Sequence, residues 1–255
     1  MKKFVKVTAL LMALCMVLAL GACAGKKTEE PAEKKTLTMA TNAEFKPFEY
    51  LEGEEIVGAD IDMAKAIAEK LGCELEITNI DFDAALTGAS TGKYDMAVAG
   101  ITANDERRLS MGFSEDYYTA SQAIIVVKDS EIQGKDGLEG KTIACQEGTT
   151  GEQFLIDGNY KTQSFKTAPE AVSALTTGKV DAVVVDDAVA RALSKEQEGA
   201  TVVLDEPLTQ EAYAIATKLG NDEFLTKIND ALKALKADGT LKKIFEKYEL
   251  PFDAE

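Results

Sequence analysis

The chain has 255 residues, of which 45% are hydrophobic and 28% are charged, so its composition is that of a soluble globular protein. Its formal net charge of −16 argues against nucleic acid or an anionic membrane surface as a partner. The sequence contains no histidine and no CxxC pair, which excludes a histidine-dependent catalytic triad and a zinc site.

Residues 1–22 are predicted to be a secretory signal peptide. Three lysines precede an almost unbroken apolar run, Val7 to Leu20, which ends at small residues. The run is too short for a transmembrane helix, which needs about 20 apolar residues. The segment Leu20 to Cys23 resembles the bacterial lipobox, in which the cysteine is acylated and becomes the mature N-terminus. We therefore expect a lipid on Cys23; the alternative is a plain secretory signal followed by an accidental cysteine.

The segment that follows, residues 23–35, is predicted to be a disordered tether because it has almost no apolar content. Loss of residues 1–22 would remove three lysines and no acid, which takes the net charge from −16 to −19. Beyond the tether lie Cys73 and Cys145. A disulfide between them is possible in an oxidising compartment, and two buried thiols is the interpretation we favour.

From Thr36 the pattern alternates short strands with amphipathic helices. Strands are predicted at 36–41, 74–78 and 95–98, with helices over 61–71 and 83–90 between them. Such alternation is typical of βαβ units and of a mainly parallel sheet.

A short internal sequence repeat suggests a second lobe of related design. Thr91 to Asp95 (TGKYD) resembles Thr177 to Asp181 (TGKVD), and both precede a buried strand. Ligands of open α/β sheets lie beyond the carboxyl ends of the strands, so two such lobes would place Gly100, Thr102 and Asp186 around a shared cleft. The alternative is that these two short segments, which have a common pattern for residues before a strand, match by chance.

The second lobe is predicted to contain strands at 123–127, 141–145 and 181–185, and a helix opened by the capping box of Thr167 and Glu170. A strand at 212–217 then leads to two C-terminal helices, the first capped at Asn221. We assign 36–120 plus 213–255 to lobe 1 and 121–212 to lobe 2. Because the chain crosses twice between the lobes, near 119–123 and 209–213, it has two hinges that suit closure around a ligand.

Several motifs resemble, in order, those of the family 3 bacterial extracellular solute-binding proteins, the polar amino-acid receptors of ABC importers. They are ATNAEFKPFE (40–49), DFD (81–83), AGIT with ERR (99–102 and 106–108), FSEDYY (113–118), QEGTTG (146–151) and DGT (238–240). The resemblance implies two Rossmann-like α/β lobes joined by two crossover strands, the type II periplasmic binding protein or Venus-flytrap fold. It also implies a monomer outside the cytoplasm that binds a free amino acid, delivers it to an ABC permease and uses no cofactor or metal.

The resemblance also assigns the ligand's α-groups. Arg107 would bind the α-carboxylate with its planar donor fork, helped from the opposite lobe by the turn at Thr149 and Thr150. Asp186 would pair with the α-ammonium, assisted by the carbonyl of Gly100 and the hydroxyl of Thr102, with Ala99 beside them. The alternatives are a surface arginine, as we expect for Arg108, and a simple N-cap at the turn.

Phe45 and Phe82 match the family positions that sandwich the ligand side chain, although either could equally be core. Asn42, Glu44 and Gln146 match positions that line the side-chain end. Position 42 is an amide, whereas cation-preferring relatives carry an acid there. Asn42 therefore leaves two ligand classes possible, basic and neutral polar amino acids, and it argues against glutamate or aspartate as the ligand. Glu44 would restore a negative charge only if it pointed inward.

Two other classes of protein stay open. Periplasmic dehydratases that act on prephenate or arogenate resemble this family, but general acid/base catalysis needs a positioned carboxylate or histidine, and Asp186 is better explained as an ammonium partner. Ligand-sensing domains of receptors share the bilobed fold. Since this chain stops at Glu255, we expect that a signalling role would need a separate partner protein.

Overall fold

The computed structural model describes residues 35–252, which pack as one compact unit. The predicted signal peptide, the lipid site at Cys23 and nearly all of the tether lie outside these residues. The elements of the first part are β1 (Thr36–Thr41), β2 (Glu44–Phe45), β3 (Glu49–Glu52), β4 (Glu55–Val57), α1 (Ala59–Leu71), β5 (Glu74–Asn79), α2 (Phe82–Thr91), β6 (Met96–Ala97), α3 (Asp105–Arg108) and β7 (Met111–Phe113).

The second part begins with the crossover strand β8 (Tyr118–Ala120). It continues through β9 (Gln122–Val127), a 3-10 turn (Lys135–Leu138), β10 (Thr142–Gln146), α4 (Thr150–Asp157), β11 (Lys161–Phe165), α5 (Ala168–Thr176), β12 (Ala182–Asp186), α6 (Asp187–Glu196) and β13 (Thr201–Val203). The chain returns through β14 (Glu211–Tyr213), β15 (Ala216–Lys218), α7 (Asp222–Ala237) and α8 (Thr240–Lys247).

Two five-stranded sheets form the two lobes, in the orders β5-β1-β6-β15-β7 and β11-β10-β12-β9-β13. In the first sheet only β15 runs against its neighbours, and in the second only β9 does. Each reversed strand is the one that enters its lobe directly from a crossover. The sheets are therefore mainly parallel, as the βαβ pattern predicts, and their carboxyl ends face the connection between the lobes.

The crossover strands pair with each other. β8 and β14 run antiparallel, with Ala212 opposite Thr119 and Tyr213 opposite Tyr118. The predicted single strand at 212–217 is therefore wrong as one element: β14 belongs to the hinge, β15 belongs to the first sheet, and Ala214 and Ile215 connect them. The break occurs because one stretch of chain has two different partners, which a local pattern does not reveal.

Other local expectations have mixed outcomes. The capping box of Thr167 and Glu170 is present with both of its hydrogen bonds. Asn221 stands at the N-cap of α7, but its side chain makes no capping hydrogen bond. Cys145 is a buried free thiol, whereas Cys73 is free and only partly buried, so the expectation of two buried thiols is correct for one of them.

Candidate functional site

One cavity lies between the lobes, at the carboxyl ends of the parallel strands. The first lobe contributes residues that follow β1 and β6, one residue each of β2 and β3, the start of α2 and the last turn of α3. The second lobe contributes the ends of β10 and β12 and the start of α4. Every predicted contact residue except Glu44 lines it: Asn42, Phe45, Phe82, Ala99, Gly100, Thr102, Arg107, Gln146, Thr149, Thr150 and Asp186. Glu44 is exposed on β2 and does not line the cavity. The binding roles of these residues remain predictions.

Arg107 defines one end of the cavity. Asn104 caps the short helix α3 by accepting from the Arg107 backbone N–H at 2.8 Å. The guanidinium donates to the Thr102 carbonyl at 2.9 Å and, across the cleft, to the Gly148 carbonyl at 3.0 Å. Burial lowers the pKa of this guanidinium, and the carboxylates of Glu211 and Asp186 oppose that shift, so Arg107 stays cationic. It is a charged donor with N–H groups to spare for an anion.

The start of α4 faces the same region from the second lobe. Thr149 is the N-cap, and its hydroxyl accepts from the Glu152 backbone N–H at 3.2 Å. Gly148, at φ +75°, makes the turn, and a Cβ there would collide with the carboxylate of Asp83. The first N–H groups of a helix have no intrahelical acceptor and carry the positive end of its dipole. The turn therefore adds donors to the side that Arg107 makes positive.

Asp186 is a buried carboxylate at the end of β12. Its two oxygens accept from the Tyr213 hydroxyl at 2.5 Å and from the Gln122 amide at 2.9 Å. Burial, followed by repulsion from Glu211, raises the pKa of Asp186 to about 7. No cation of the described residues bonds to it. A buried carboxylate with only neutral donors is suited to receive an ammonium group, which would offset the cost of its ionisation.

Aromatic rings and amides line the rest of the cavity. The Arg107 guanidinium carbon lies 5.4 Å from the centroid of the Phe82 ring. Gly100 has φ +54°, and a Cβ there would lie 2.9 Å from the Phe45 ring, so glycine allows this ring to approach the backbone. Gln146 donates across the cleft to Asn42 at 2.9 Å. The amides thus bond to each other where the resemblance places the ligand side chain.

Glu49 lines the cavity and is missing from the predicted set. Its side chain is fully buried on β3, and neither carboxylate oxygen accepts a hydrogen bond from an N–H or O–H donor of the described residues. Burial, and then the neighbouring carboxyl group of Asp60, raise the pKa of Glu49 well above its usual range. The pKa of Asp60 is itself raised to about 6 by burial, although the Gly100 N–H and the Tyr117 hydroxyl donate to it. Burial and mutual repulsion thus disfavour the ionisation of both acids together.

No hydrophobic signal points to Glu49. Period-two alternation places Glu49 and Leu51 on the same face of β3, yet Glu49 is fully buried while Leu51 is 47% exposed. The strand ends in a tight hairpin with β4, so only its first residue reaches the interior. The one available signal is the position of Glu49 at the end of the first family motif.

The lobes are held close together. Besides the bonds from Arg107 and Gln146 that cross the cleft, Lys46 and Glu196 form an ion pair at the rim with a separation of 2.8 Å. The cavity has a volume of about 10 Å³, roughly the space for one water molecule. An organic solute therefore needs the lobes to separate before it can enter.

Two α/β lobes on paired crossover strands, around a polar cleft, define the class of bilobed solute-binding proteins with the type II fold. The chain belongs to the bacterial extracellular solute-binding proteins, family 3, whose model matches residues 37–251. Within residues 35–252, no helix combines the length and the apolar character needed to cross a bilayer.

Relatives of this family match nearly the whole chain. The arginine-binding extracellular protein ArtP of Bacillus subtilis (strain 168) is 34% identical over 244 residues, which cover 94% of this chain and 96% of that protein. Among solved structures, an ancestral arginine-binding protein bound to arginine has 40% identity and a TM-score of 0.80, and covers 84% of this chain and 98% of its own. A structure of an ancestral arginine-binding protein bound to glutamine has the same identity and TM-score over the same coverage.

Proposed function

We propose that this chain is the extracytoplasmic substrate-binding component of an ABC importer, and that it binds one free L-amino acid with a cationic side chain, arginine first. The cavity supplies a separate partner for each charge of such a ligand. Arg107 and the first N–H groups of α4 lie on one side for the α-carboxylate, and Asp186 lies at the end of β12 for the α-ammonium. A buried charge without a partner is costly, so this set favours a zwitterion.

Glu49 is the residue from which we infer a cationic ligand side chain. It is a buried carboxyl group that lines the cavity, accepts from no N–H or O–H donor within residues 35–252 and lies beside a second acid, Asp60. A guanidinium would give Glu49 a charged donor and would favour its ionised form. Phe45 and Phe82 would cover the faces of a planar cation. Asn42 therefore does not need to be an acid, since Glu49 supplies the charge.

The relatives reported above support the same ligand class. ArtP of Bacillus subtilis is an arginine-binding protein, and the ancestral protein is described with arginine. An ancestral arginine-binding protein is also described with glutamine, so this fold accepts a neutral polar side chain as well. The charge state of Glu49 is the physical feature that would distinguish the two ligands here.

A thermal-shift panel tests this function. The purified chain is unfolded and refolded to strip any bound ligand, and its melting temperature is measured with each of the twenty amino acids. A ligand at about 1,000 times its dissociation constant stabilises by about 4.1 kcal/mol, or roughly 8–16 °C for a domain of this size. We expect the largest shift with arginine, its loss in Arg107→Ala and its retention in the matched control Arg108→Ala, since Arg108 is exposed. The absence of a shift with every amino acid would contradict the proposal.

We also propose how the protein is held and how it moves. Cys23 carries the lipid, residues 23–35 act as the tether, and the lobes 36–120 plus 213–255 and 121–212 rock on β8 and β14 as a monomer that docks on a permease. The antiparallel pairing of these two strands supports the hinge. Cys23→Ala is expected to move the protein from the membrane fraction to the soluble fraction. Retention of the variant in the membrane would argue against the anchor.

A further inference from the structure

The crossover strand β14 carries a carboxylate directly behind the cavity wall. Glu211 does not line the cavity, but one of its oxygens accepts hydrogen bonds from two hydroxyl groups of residues that do. Thr102 of the first lobe donates at 2.6 Å and Thr150 of the second lobe at 2.7 Å. The other oxygen accepts from Thr209 at 2.8 Å. Three hydroxyl donors thus converge on one carboxylate between the lobes.

The direction of these bonds is fixed, because an ionised carboxylate only accepts. The hydroxyl hydrogen of Thr102 must point out of the cavity toward Glu211, which leaves the lone pairs of this oxygen available to a ligand. On the cavity side, Thr102 can then accept a hydrogen bond from a ligand but cannot donate one. An acceptor at this position suits an ammonium group and does not suit a carboxylate.

The same chain of bonds reaches Asp186. The Gln122 amide nitrogen donates to Asp186 at 2.9 Å and to the Thr150 hydroxyl at 3.3 Å, and Thr150 donates onward to Glu211. The Glu211 charge also raises the pKa of Asp186 and opposes the loss of the Arg107 proton. Glu211 is therefore linked, by bonds and by charge, to each group proposed to bind the α-groups of the ligand.

We propose that Glu211 is a specificity-determining positioning residue: by holding the Thr102 hydroxyl as an acceptor, it makes the site select ligands that carry an α-ammonium group. The inference rests on the proposed function. Glutamine could keep its carbonyl on both threonines and turn its NH₂ group toward Thr209, whereas alanine at position 211 leaves no acceptor for the Thr102 hydroxyl. The hydrogen of that hydroxyl would then be free to turn toward the ligand, and the selection would weaken.

The test compares two ligands by calorimetry on the full chain in a mild detergent. L-Arginine is measured against 5-guanidinopentanoate, which is arginine without its α-amino group. E211A is expected to weaken arginine binding about tenfold, as for one hydrogen bond to a charged group, and to leave 5-guanidinopentanoate within about twofold, near measurement error. The matched control is E139A, because Glu139 is exposed and precedes β10 at the end of the strand opposite to Gln146; it should change neither affinity.

Equal losses for both ligands would mean that Glu211 acts only on lobe closure or folding, and would overturn the inference, as would no loss for either. If 5-guanidinopentanoate binds the wild type too weakly, a double-mutant cycle decides: in a Thr102→Val background, E211A should lose most of its effect on arginine affinity, and an undiminished loss would overturn the inference. If the wild type does not bind arginine, the proposed ligand is wrong; the comparison is then made with the amino acid that shifts the melting temperature and its counterpart without the α-amino group.

Discussion

Asp186→Asn is expected to stabilise the ligand-free protein at neutral and alkaline pH while abolishing binding. Burial holds the pKa of Asp186 at about 7, against an ordinary value of 3.8. A carboxyl group with a raised folded-state pKa stabilises the fold fully below its unfolded pKa, and this contribution is lost as the pH rises through the folded pKa. The stabilising contribution of Asp186 is therefore lost between pH 3.8 and about pH 7.

The magnitude follows from the difference of about 3 pH units, which corresponds to about 4 kcal/mol of unfolding free energy. Asparagine has a similar shape and does not titrate, and its carbonyl oxygen can still accept from Tyr213 or Gln122. The advantage of the variant over the wild type should therefore grow from about zero near pH 4 to as much as about 4 kcal/mol at pH 8, or roughly 8–16 °C in melting temperature.

The assay is urea unfolding of the refolded, ligand-free chain at acidic, intermediate and alkaline pH. The control is Asp129→Asn, because Asp129 is exposed in the turn after β9 and is not among the groups that shift the pKa of Asp186. The free energy of unfolding of this control should depend on pH as that of the wild type does. The reasoning would be refuted if the unfolding free energy of D186N changed with pH as steeply as that of the wild type, since the titrating group would then be another residue.

Three further outcomes are expected. Arg107→Lys should weaken binding about 100-fold because a point ammonium cannot replace two directed N–H bonds, and near-wild-type calorimetric affinity would contradict this role. Arginine affinity should rise as the pH is raised through about 6, with proton release, because burial raises the pKa of Asp60 to about 6 and also raises that of Glu49, and a cation is bound by ionised carboxylates; titrations in two buffers of different ionisation enthalpy with equal heats would exclude that release. Small-angle scattering should show a smaller radius of gyration with ligand, and unchanged curves would count against lobe closure.

The sequence predicts the lobes and much of the cavity, because both depend on repeated local features. The segment TGKYD and its repeat TGKVD directly precede β6 and β12. The carboxyl ends of parallel strands meet at one edge of a sheet. Gly100 and Asp186 follow from that rule without any reference to relatives. The contact set around Arg107 came from the family motifs, and it lines one cavity with the exception of Glu44.

Other features depend on tertiary context. Glu49 is buried although it stands in a short, mostly polar strand, and the neighbouring acid Asp60 lies on α1, so neither residue alone signals a pair of buried carboxyl groups with raised pKa values. Glu211 precedes a buried tyrosine and reads as an ordinary surface acid. Its importance arises only because β14 carries it between Thr102 and Thr150, which are far from it in sequence. Such long-range pairings have no periodic signature.

The most direct test of the proposed ligand is a calorimetric comparison of L-arginine with L-citrulline, its neutral counterpart of nearly the same shape. Because Glu49 is buried and bonded to no N–H or O–H donor of the part of the chain that the structure describes, arginine should bind about 100-fold or more tightly than citrulline, as for a buried charge pair. Glu49→Gln should remove most of that preference while citrulline binding persists. Equal affinities of the wild type for the two ligands, or no binding of arginine, would contradict a site built for a cationic amino acid.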